Sequence, residues 1–290
     1  MNTVAPEPLR LGLPKGRMQQ AVLDLLADAG IQVRTNGRTY RPEISHPDLS
    51  AKLLKPQNIV EMLHAGSRDI GFAGADWQQE MAFDLVQLLD TGLNPVRVVA
   101  AAPSSLLVDG QLPDQKLVVA SELTRLTSRW IEQRGLEARL VRSYGATEVF
   151  PPEDADCIVD IVASGATLRA NDLEIIDELL RSSTRLYAAP RVMDDPERRD
   201  RVESFVLILQ SVLDARLRVM LEVNVPGDRL EGVIAVLPCM REATVAPLNG
   251  NSGFAVRAAV PRTALPGLIP QIKACGGSDL IVTSVSQIVP

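Results

Sequence analysis

Aromatic side chains make up only 3% of this 290-residue chain, and its net charge is −6 because acidic residues outnumber basic ones. Single-stranded nucleic acids are bound by stacking on aromatic side chains, and polyanions in general are attracted to a basic face. Both shortages argue against a nucleic-acid-binding function. A phosphate-bearing ligand would be held locally, by a few basic residues and backbone N–H groups.

Cysteine and histidine are also scarce, with three and two residues respectively. Cys157, Cys239 and Cys275 lie far apart and form no CxxC pair, which argues against a disulfide framework or a zinc site and fits a reducing cytosol. No apolar run approaches the roughly 20 residues of a membrane span, and residues 1–16 lack the apolar core of a signal peptide. We therefore expect a cytoplasmic protein without membrane contact.

The first two-thirds of the chain alternates strand and helix patterns. Four apolar segments are strand candidates: residues 9–13, 69–73, 96–103 and 116–122. Helix patterns occur between strands, and one of them has an apolar face that runs from Met18 to Ala29. Continuous apolar strands favour a parallel sheet covered on both faces, and short crossovers favour an open, doubly wound α/β sheet.

The pattern changes after about residue 213. Val219, Leu221, Val223 and Val225 alternate with polar residues, as in a sheet with one solvated face, and the order of elements to the end of the chain is βαββαβ. This order predicts a ferredoxin-like domain. Pro270 lies inside its last helix, so we expect that helix to begin late or to be kinked.

The stretch "DCIVDIVASGATLRANDLEIIDELL", residues 156–180, begins as a buried strand and passes through four small residues at 164–167. The pattern predicts that it restarts as an amphipathic helix. Small residues let several backbone N–H groups approach a ligand, and a helix N-terminus would add its positive end. The stretch therefore predicts a phosphate cradle, although a tight turn capped by Asn171 or Asp172 is an alternative.

An acid accompanies this cradle. Asp160 is expected near the carboxyl end of its strand, where open α/β sheets bind their ligands. A carboxylate repels a phosphate, so its presence favours contact with ribose hydroxyls or a magnesium ion. Phosphoribosyl pyrophosphate carries a 5′-phosphate beside a 2′,3′-diol and fits both features.

The segment "VDIVASGATLRAND" resembles the phosphoribosyl-pyrophosphate motif of the ATP phosphoribosyltransferase family, which opens histidine biosynthesis. Four further segments also resemble this family in its long form: "LRLGLPKGRM", "LLDTGLNPVRVVAAAP", "SYGATEVFP" and "PGLIPQIKACGGSDLIV". Together with the motif, they extend from about residue 9 to residue 287. The resemblance implies an α/β, two-lobed catalytic body like that of type II periplasmic binding proteins, and a C-terminal ferredoxin-like (ACT-like) regulatory domain. Residues 1–95 and 184–212 would form lobe I on the ATP side, 96–183 lobe II on the phosphoribosyl-pyrophosphate side, and 213–290 the regulatory domain.

The resemblance also implies an assignment for each site. The family transfers the phosphoribosyl group to N1 of ATP, with Mg²⁺ on the departing pyrophosphate and no protein ligand of the metal directly assigned. The implied catalytic residues are Glu148 and Asp160; the implied donor-binding residues are Asp160, Ser164, Gly165, Ala166, Thr167 and Leu168; the implied ATP-binding residues are Lys15, Gly16, Arg17, Lys55, Asp76 and Asp90.

Alternatives remain at several of these positions. Residues 15–17 also fit a solvated basic turn, and Asp90 also fits a hinge-capping role. The stretch "KPQNI" departs from the family pattern R-P-x-D-I, because Lys55 lacks the bidentate fork of arginine and Asn58 lacks a carboxylate.

In the long form the C-terminal domain binds histidine as a feedback inhibitor, and the assembly is a homo-oligomer, from dimer to hexamer. The residues implied for histidine are Glu222, Asn224 and Thr244, although Glu222 also fits the polar phase of an alternating strand. Two other functions stay open: a non-catalytic two-lobed sensor of a small ligand, and a phosphoribosyltransferase acting on another base.

Overall fold

The computed structural model describes residues 7–35 and 39–289. The chain forms two compact units, one of residues 1–27 and 31–203 and the other of residues 28–30 and 204–290. The finer division of the first unit into two lobes at residues 95 and 184 stays a prediction. Within the described ranges, none of the helices combines the length and the apolar character needed to cross a membrane.

Strands and helices are interspersed along the chain up to residue 216, as predicted, although some strands follow one another without an α-helix between them. In chain order they are β1 (Leu9–Pro14), α1 (Gln19–Asp28), β2 (Val33–Arg34), β3 (Glu43–Ile44), β4 (Leu49–Leu54), α2 (Pro56–His64), β5 (Ile70–Gly74), α3 (Ala75–Met81), β6 (Val86–Pro103), β7 (Leu117–Ser121), α4 (Thr124–Arg134), β8 (Ala138–Arg142), β9 (Cys157–Val162), α5 (Ala166–Ala170), β10 (Leu173–Ala188), α6 (Pro190–Asp194) and α7 (Pro196–Arg216).

One eight-stranded sheet organises the first unit, in the order β4-β1-β5-β10-β6-β9-β7-β8. We call β4, β1 and β5 the first half-sheet, because these three strands are parallel to one another. Strands β9, β7 and β8 are also mutually parallel and form the second half-sheet. The long antiparallel strands β6 and β10 lie between the two and are called the central ribbon.

The expectation of a parallel sheet is wrong for β6, which is antiparallel to both of its neighbours. The apolar run 96–103 is buried on both faces: Val98 packs into one cluster of buried residues, whereas Val99 packs into another. Burial on both faces requires layers above and below the sheet and is independent of strand direction, so the run predicted the burial but not the pairing.

The predicted amphipathic helix after residue 167 is also wrong. Helix α5 ends at Ala170, and the chain then continues as strand β10. Bulges interrupt its pairing with β6 between Ile175 and Asp177 and between Glu178 and Leu180. Each bulge inserts a residue and shifts the side-chain alternation, so apolar residues recur at the spacing of a helix although the backbone is extended.

The second unit contains β11 (Arg218–Val225), α8 (Leu230–Val236), β12 (Thr244–Pro247), β13 (Phe254–Pro261), α9 (Leu265–Ala274) and β14 (Ser278–Ser284). Its sheet order, β12-β13-β11-β14, with antiparallel pairs throughout confirms the ferredoxin-like prediction. The alternating valines of β11 are buried, together with Val233 of α8 and Ile272 of α9. Helix α9 begins before Pro270 and includes it, so the expected late start is wrong.

Candidate active site

The carboxyl edge of the second half-sheet carries a small cavity. Because β7, β8 and β9 are parallel, the loops that follow them meet at one edge of the sheet. A cavity of about 220 Å³ lies there, lined by Glu148, Asp160 and the continuous segment 161–168. The structure thus brings the implied catalytic acids and the whole implied donor-binding segment around one space.

Asp160 is the electrostatically unusual group of this cavity. Burial and, to a smaller extent, the negative charges of Glu148 and Glu122 raise the pKa of its carboxyl group to about 6, against a hydrogen bond of 2.7 Å from the backbone N–H of Ile161. A carboxyl group held in this way gains from any cation that enters the cavity, because a nearby positive charge favours the ionised form.

The small-residue segment has the geometry of a cradle. Gly165 adopts the left-handed conformation, with φ of +72°, and the following residue begins α5. The hydroxyl of Ser164 accepts a 3.4 Å hydrogen bond from the N–H of Ala166, while the guanidinium of Arg169 donates to the carbonyl of Ser164 at 3.1 Å. With five residues α5 supplies little dipole, so exposed N–H groups, hydroxyls and Arg169 are what this segment offers to an anion.

The carboxyl edge of the first half-sheet carries most of the basic candidates. Lys15, Gly16 and Arg17 follow β1, and Lys55 follows the neighbouring strand β4. The ammonium group of Lys15 lies 4.2 Å from the ring centroid of Tyr40, and Gly16 has φ of +79°. The described residues therefore place three cations at the ends of two adjacent strands.

Asp76 lies at the same edge but is almost inaccessible, with 1% of its surface exposed. Burial raises the pKa of its carboxyl group, against a 2.7 Å hydrogen bond from the N–H of Trp77 and the positive charge of Arg17. Its backbone N–H donates to the hydroxyl of Ser182 on β10 at 3.0 Å. The charge of Arg17 favours the ionised form of this carboxyl group, but almost none of its surface is open to a ligand.

Asp90 lies on β6 and faces β10. Its carboxylate accepts hydrogen bonds from the hydroxyl of Ser183 at 2.6 Å, the N–H of Gly92 at 3.0 Å and the guanidinium of Arg185 at 3.0 Å. Although burial opposes ionisation, these contacts lower the pKa of Asp90. They favour the structural alternative for this residue, a brace within the central ribbon.

The two carboxyl edges meet at the central ribbon. Gly74, at the end of β5, pairs with Thr184 of β10. Val162, at the end of β9, pairs with Arg97 of β6, which pairs with Arg181 of β10. Strands β5 and β9 run toward each other along the ribbon. Strand β5 ends level with position 184 of β10 and β9 ends level with position 181, so the two ends are offset by about 10 Å along the ribbon at the usual rise per residue. The two carboxyl edges therefore face each other across the ribbon.

The implied histidine residues share the open face of the second unit's sheet. Glu222 of β11 and Thr244 of β12 both lie opposite Arg257 of β13, and the guanidinium of Arg257 is 3.1 Å from the carboxylate of Glu222. The amide of Asn224 donates to the carboxylate of Asp279 at 3.2 Å. The three candidates are thus brought to one surface, and Glu222 already has a cationic partner there.

Sequence reasoning missed three residues near these sites. Ser182 contacts the backbone of Asp76, Glu122 raises the pKa of Asp160, and Arg169 contacts the cradle. Glu122 directly follows strand β7, so the carboxyl-end rule would have found it. Ser182 had no such signal, because it lies just beyond the stretch 156–180 and no motif includes it.

The fold defines a class, that of α/β proteins in which the carboxyl ends of two half-sheets face each other. The chain belongs to the ATP phosphoribosyltransferase family, whose family model matches residues 55–211; a second model, described as "HisG, C-terminal domain", matches residues 215–287. Members of the family are pentosyltransferases of histidine biosynthesis that act on ATP and phosphoribosyl pyrophosphate and require a divalent metal ion.

Relatives match over nearly the whole chain. The ATP phosphoribosyltransferase of Pelotomaculum thermopropionicum is 35% identical over 97% of this chain and 99% of its own length. That of Chlorobium phaeovibrioides is 33% identical, with 97% of each chain covered. A solved chain from an ATP phosphoribosyl transferase (HisG:HisZ) complex of Thermotoga maritima is 29% identical with a TM-score of 0.63, and the match covers 71% of this chain and 98% of that one. The predicted family and fold class are confirmed, and the two rival functions are not favoured.

Proposed function

We propose that the donor, phosphoribosyl pyrophosphate, binds at the carboxyl edge of the second half-sheet and ATP at that of the first. N1 of the adenine then displaces pyrophosphate from C1 of the ribose. The observation that carries this arrangement is the convergence of β5 and β9 on the central ribbon, because the carboxyl ends of these two strands are offset by only about 10 Å along the ribbon. Holding two reactants in this way supplies much of the rate enhancement of a displacement reaction.

On the donor side, the hydroxyls of Ser164 and Thr167 and the N–H groups between them hold the 5′-phosphate, with Arg169 adding positive charge. Asp160 contacts the ribose hydroxyls, and Glu148 stabilises the positive charge that develops on the ribose ring. The shared cavity supports these roles. A cationic, oxocarbenium-like centre is favoured by fixed carboxylates once water is excluded, and no protein nucleophile is needed.

On the ATP side, Lys15, Gly16, Arg17 and Lys55 contact the triphosphate, and the buried carboxylate of Asp76 orients Arg17. The position of these cations at adjacent strand ends supports this assignment. Asp90 braces the ribbon close by and is the ATP-binding candidate with the least support, because its oxygens already have partners.

The metal ion is proposed to be Mg²⁺. In the part of the chain that the structure describes, no three His, Cys, Asp or Glu side chains form a cluster that would hold a metal ion. Two carboxylates, Glu148 and Asp160, do line the cavity, and this donor set fits Mg²⁺, which is commonly held by one or two carboxylates together with substrate phosphates. When bound, the ion neutralises charge on the departing pyrophosphate.

Histidine is proposed to inhibit the enzyme from the second unit, through Glu222, Asn224 and Thr244 on the open sheet face. The ammonium group of histidine would replace Arg257 as the partner of Glu222. We further propose a cytoplasmic homo-oligomer, from dimer to hexamer, as the long form of the family implies.

Pyrophosphate release from the purified protein tests the proposal. With magnesium and donor present, release should require ATP and should fall when histidine is added. An Arg257→Ala variant should remain active and respond to histidine at a different concentration, whereas Ser164→Ala should lose donor affinity. Donor binding without release would contradict ATP as the acceptor, and absence of donor binding would contradict the cradle at residues 164–168.

A further inference from the structure

Helix α4 begins at the carboxyl end of β7, in the second half-sheet. The side chain of its N-cap residue makes no capping hydrogen bond. The first N–H groups of a helix lack intrahelical partners and are commonly satisfied by a Ser, Thr, Asp or Asn at the N-cap. Here the N-cap residue is Leu123, which is 1% exposed and whose side chain has no atom that could accept a hydrogen bond. The partners of these N–H groups must come from elsewhere.

Glu80 supplies the missing hydrogen-bond acceptors. It lies on α3, the helix that follows β5 of the first half-sheet. Its carboxylate accepts hydrogen bonds from the N–H groups of Arg125 and Leu126, both at 2.9 Å, and from the hydroxyl of Thr124 at 3.2 Å. The carboxylate thus caps α4 with both oxygens, and its negative charge lies at the positive end of the helix. This cap exists only while α3 is docked against α4.

Other contacts of α3 connect the same parts of the molecule. The indole of Trp77 packs against the buried cluster of the first half, which includes Ile59 and Tyr187, and against that of the second half, which includes Leu123 and Trp130. At its first turn, α3 also donates a backbone hydrogen bond to Ser182 of the central ribbon. Helix α3 therefore contacts both halves of the sheet and the ribbon between them.

From these contacts we infer that Glu80 is a positioning residue for the transfer reaction: by capping α4, it fixes the spacing of the two carboxyl edges. The inference rests on the proposed function, because spacing matters only if donor and ATP occupy the two edges together. Without the cap, each edge retains its own binding groups, but the reacting atoms are no longer held at one separation. The expected loss therefore falls on the step that needs both substrates.

The test compares Glu80→Ala and Glu80→Gln with Glu61→Gln, which changes an exposed glutamate of α2. In Glu80→Ala, kcat/KM for ATP should fall about 5- to 30-fold, the range that corresponds to loss of a helix cap. Glu80→Gln should lie between this variant and the wild type, since its amide oxygen accepts a hydrogen bond without carrying charge. Donor affinity measured calorimetrically in the absence of ATP should be unchanged in all three.

Two outcomes would overturn the inference. Unchanged kcat/KM for ATP in Glu80→Ala would show that the spacing does not depend on this contact. A parallel loss of donor affinity, rate and melting temperature would show that Glu80 only stabilises α4. The wild type separates this test from that of the proposed function, because absence of pyrophosphate release from the wild type contradicts the function, whereas an active wild type with an equally active Glu80→Ala contradicts only the role of Glu80.

Discussion

Glu148 and Asp160 line one cavity, and the charge of Glu148 adds to burial in raising the pKa of Asp160 to about 6. The two acids reach the cavity from different elements, Glu148 from a short 3₁₀ turn after β8 and Asp160 from within β9. Like charges that share a partly buried cavity are costly without a cation between them. Their pairing at a phosphate cradle is therefore understandable if the cavity receives a group that carries or develops positive charge.

The first prediction concerns pH. If the ionised form of Asp160 contacts the ribose, kcat/KM for the donor should fall as the pH is lowered through about 6. In Glu148→Gln the remaining activity should fall at a lower pH, because removal of the neighbouring charge makes Asp160 easier to ionise. A pH–rate profile of both proteins checks this, and an acid limb that does not move in Glu148→Gln would contradict the coupling.

The second prediction separates activity from stability in Asp160→Asn. The folded-state pKa is raised, so the folded protein binds the proton of Asp160 more tightly than the unfolded chain. The contribution of this group to stability is complete below the ordinary carboxyl pKa and is lost as the pH rises through about 6. At pH 7 to 8 the variant should be more stable than the wild type, by at most about 3 kcal/mol.

The rate of pyrophosphate release by Asp160→Asn should nevertheless fall about 100-fold or more, because the carboxylate that contacts the ribose hydroxyls is lost and, with it, a negative charge close to the reacting ring. Denaturant unfolding at two pH values and a rate assay check both parts. A variant that is less stable and inactive would indicate a structural role for Asp160.

The third prediction concerns the backbone of the cradle. Gly165 has φ of +72°, and an added Cβ would lie 3.3 Å from the guanidinium of Arg169. Gly165→Ala should therefore strain the turn by about 1 kcal/mol or more and weaken donor binding by about tenfold. Gly232→Ala is the matched control, since Gly232 lies in α8 with open space around it, and alanine there should stabilise by about 0.5–1 kcal/mol. Equal donor affinity in both variants would contradict the cradle.

Features formed by residues close together in the chain could be predicted from the sequence, whereas contacts between distant segments could not. The segment that lines the cavity and its acid could be predicted because the strand, the small residues and Asp160 are contiguous in the chain. The ferredoxin-like unit was found because alternation in β11 records a sheet with one solvated face. Strand β10 was missed because its bulges imitate helical spacing, and the direction of β6 was missed because apolar runs do not encode it.

Contacts between distant segments left no pattern at all. Glu80 and the first turn of α4 are more than 40 positions apart, as are Asp76 and Ser182. For Glu80 the only indication in the sequence is indirect: leucine occupies the N-cap position of α4, so the cap has to come from another segment. Only the pairing of the strands brings these segments together.

The last prediction concerns a buried charge far along the chain from the cradle. Asp69, just before β5, has no exposed surface, and its carboxylate accepts hydrogen bonds from Arg10 at 2.9 and 3.0 Å, Arg191 at 2.7 Å and Arg198 at 3.3 Å. Burial alone would raise the pKa of Asp69, but the hydrogen bonds from Arg10 and Arg191 outweigh it and lower the pKa to about 2. One carboxylate therefore ties β1 and β5 to α6 and α7.

Asp69→Asn leaves three guanidinium groups around a neutral amide. It should lower the free energy of unfolding by about 2–3 kcal/mol near neutral pH, at the low end for a buried pair because the arginines are partly exposed. A lowered pKa stabilises the fold above the ordinary carboxyl pKa, and this contribution is lost as the pH falls toward 2. The difference in free energy of unfolding between Asp69→Asn and the wild type should therefore become smaller at about pH 3. Glu137→Gln, which breaks an exposed 3.0 Å pair with Lys116, serves as the control and should cost almost nothing; equal losses in the two variants would contradict a special role for Asp69.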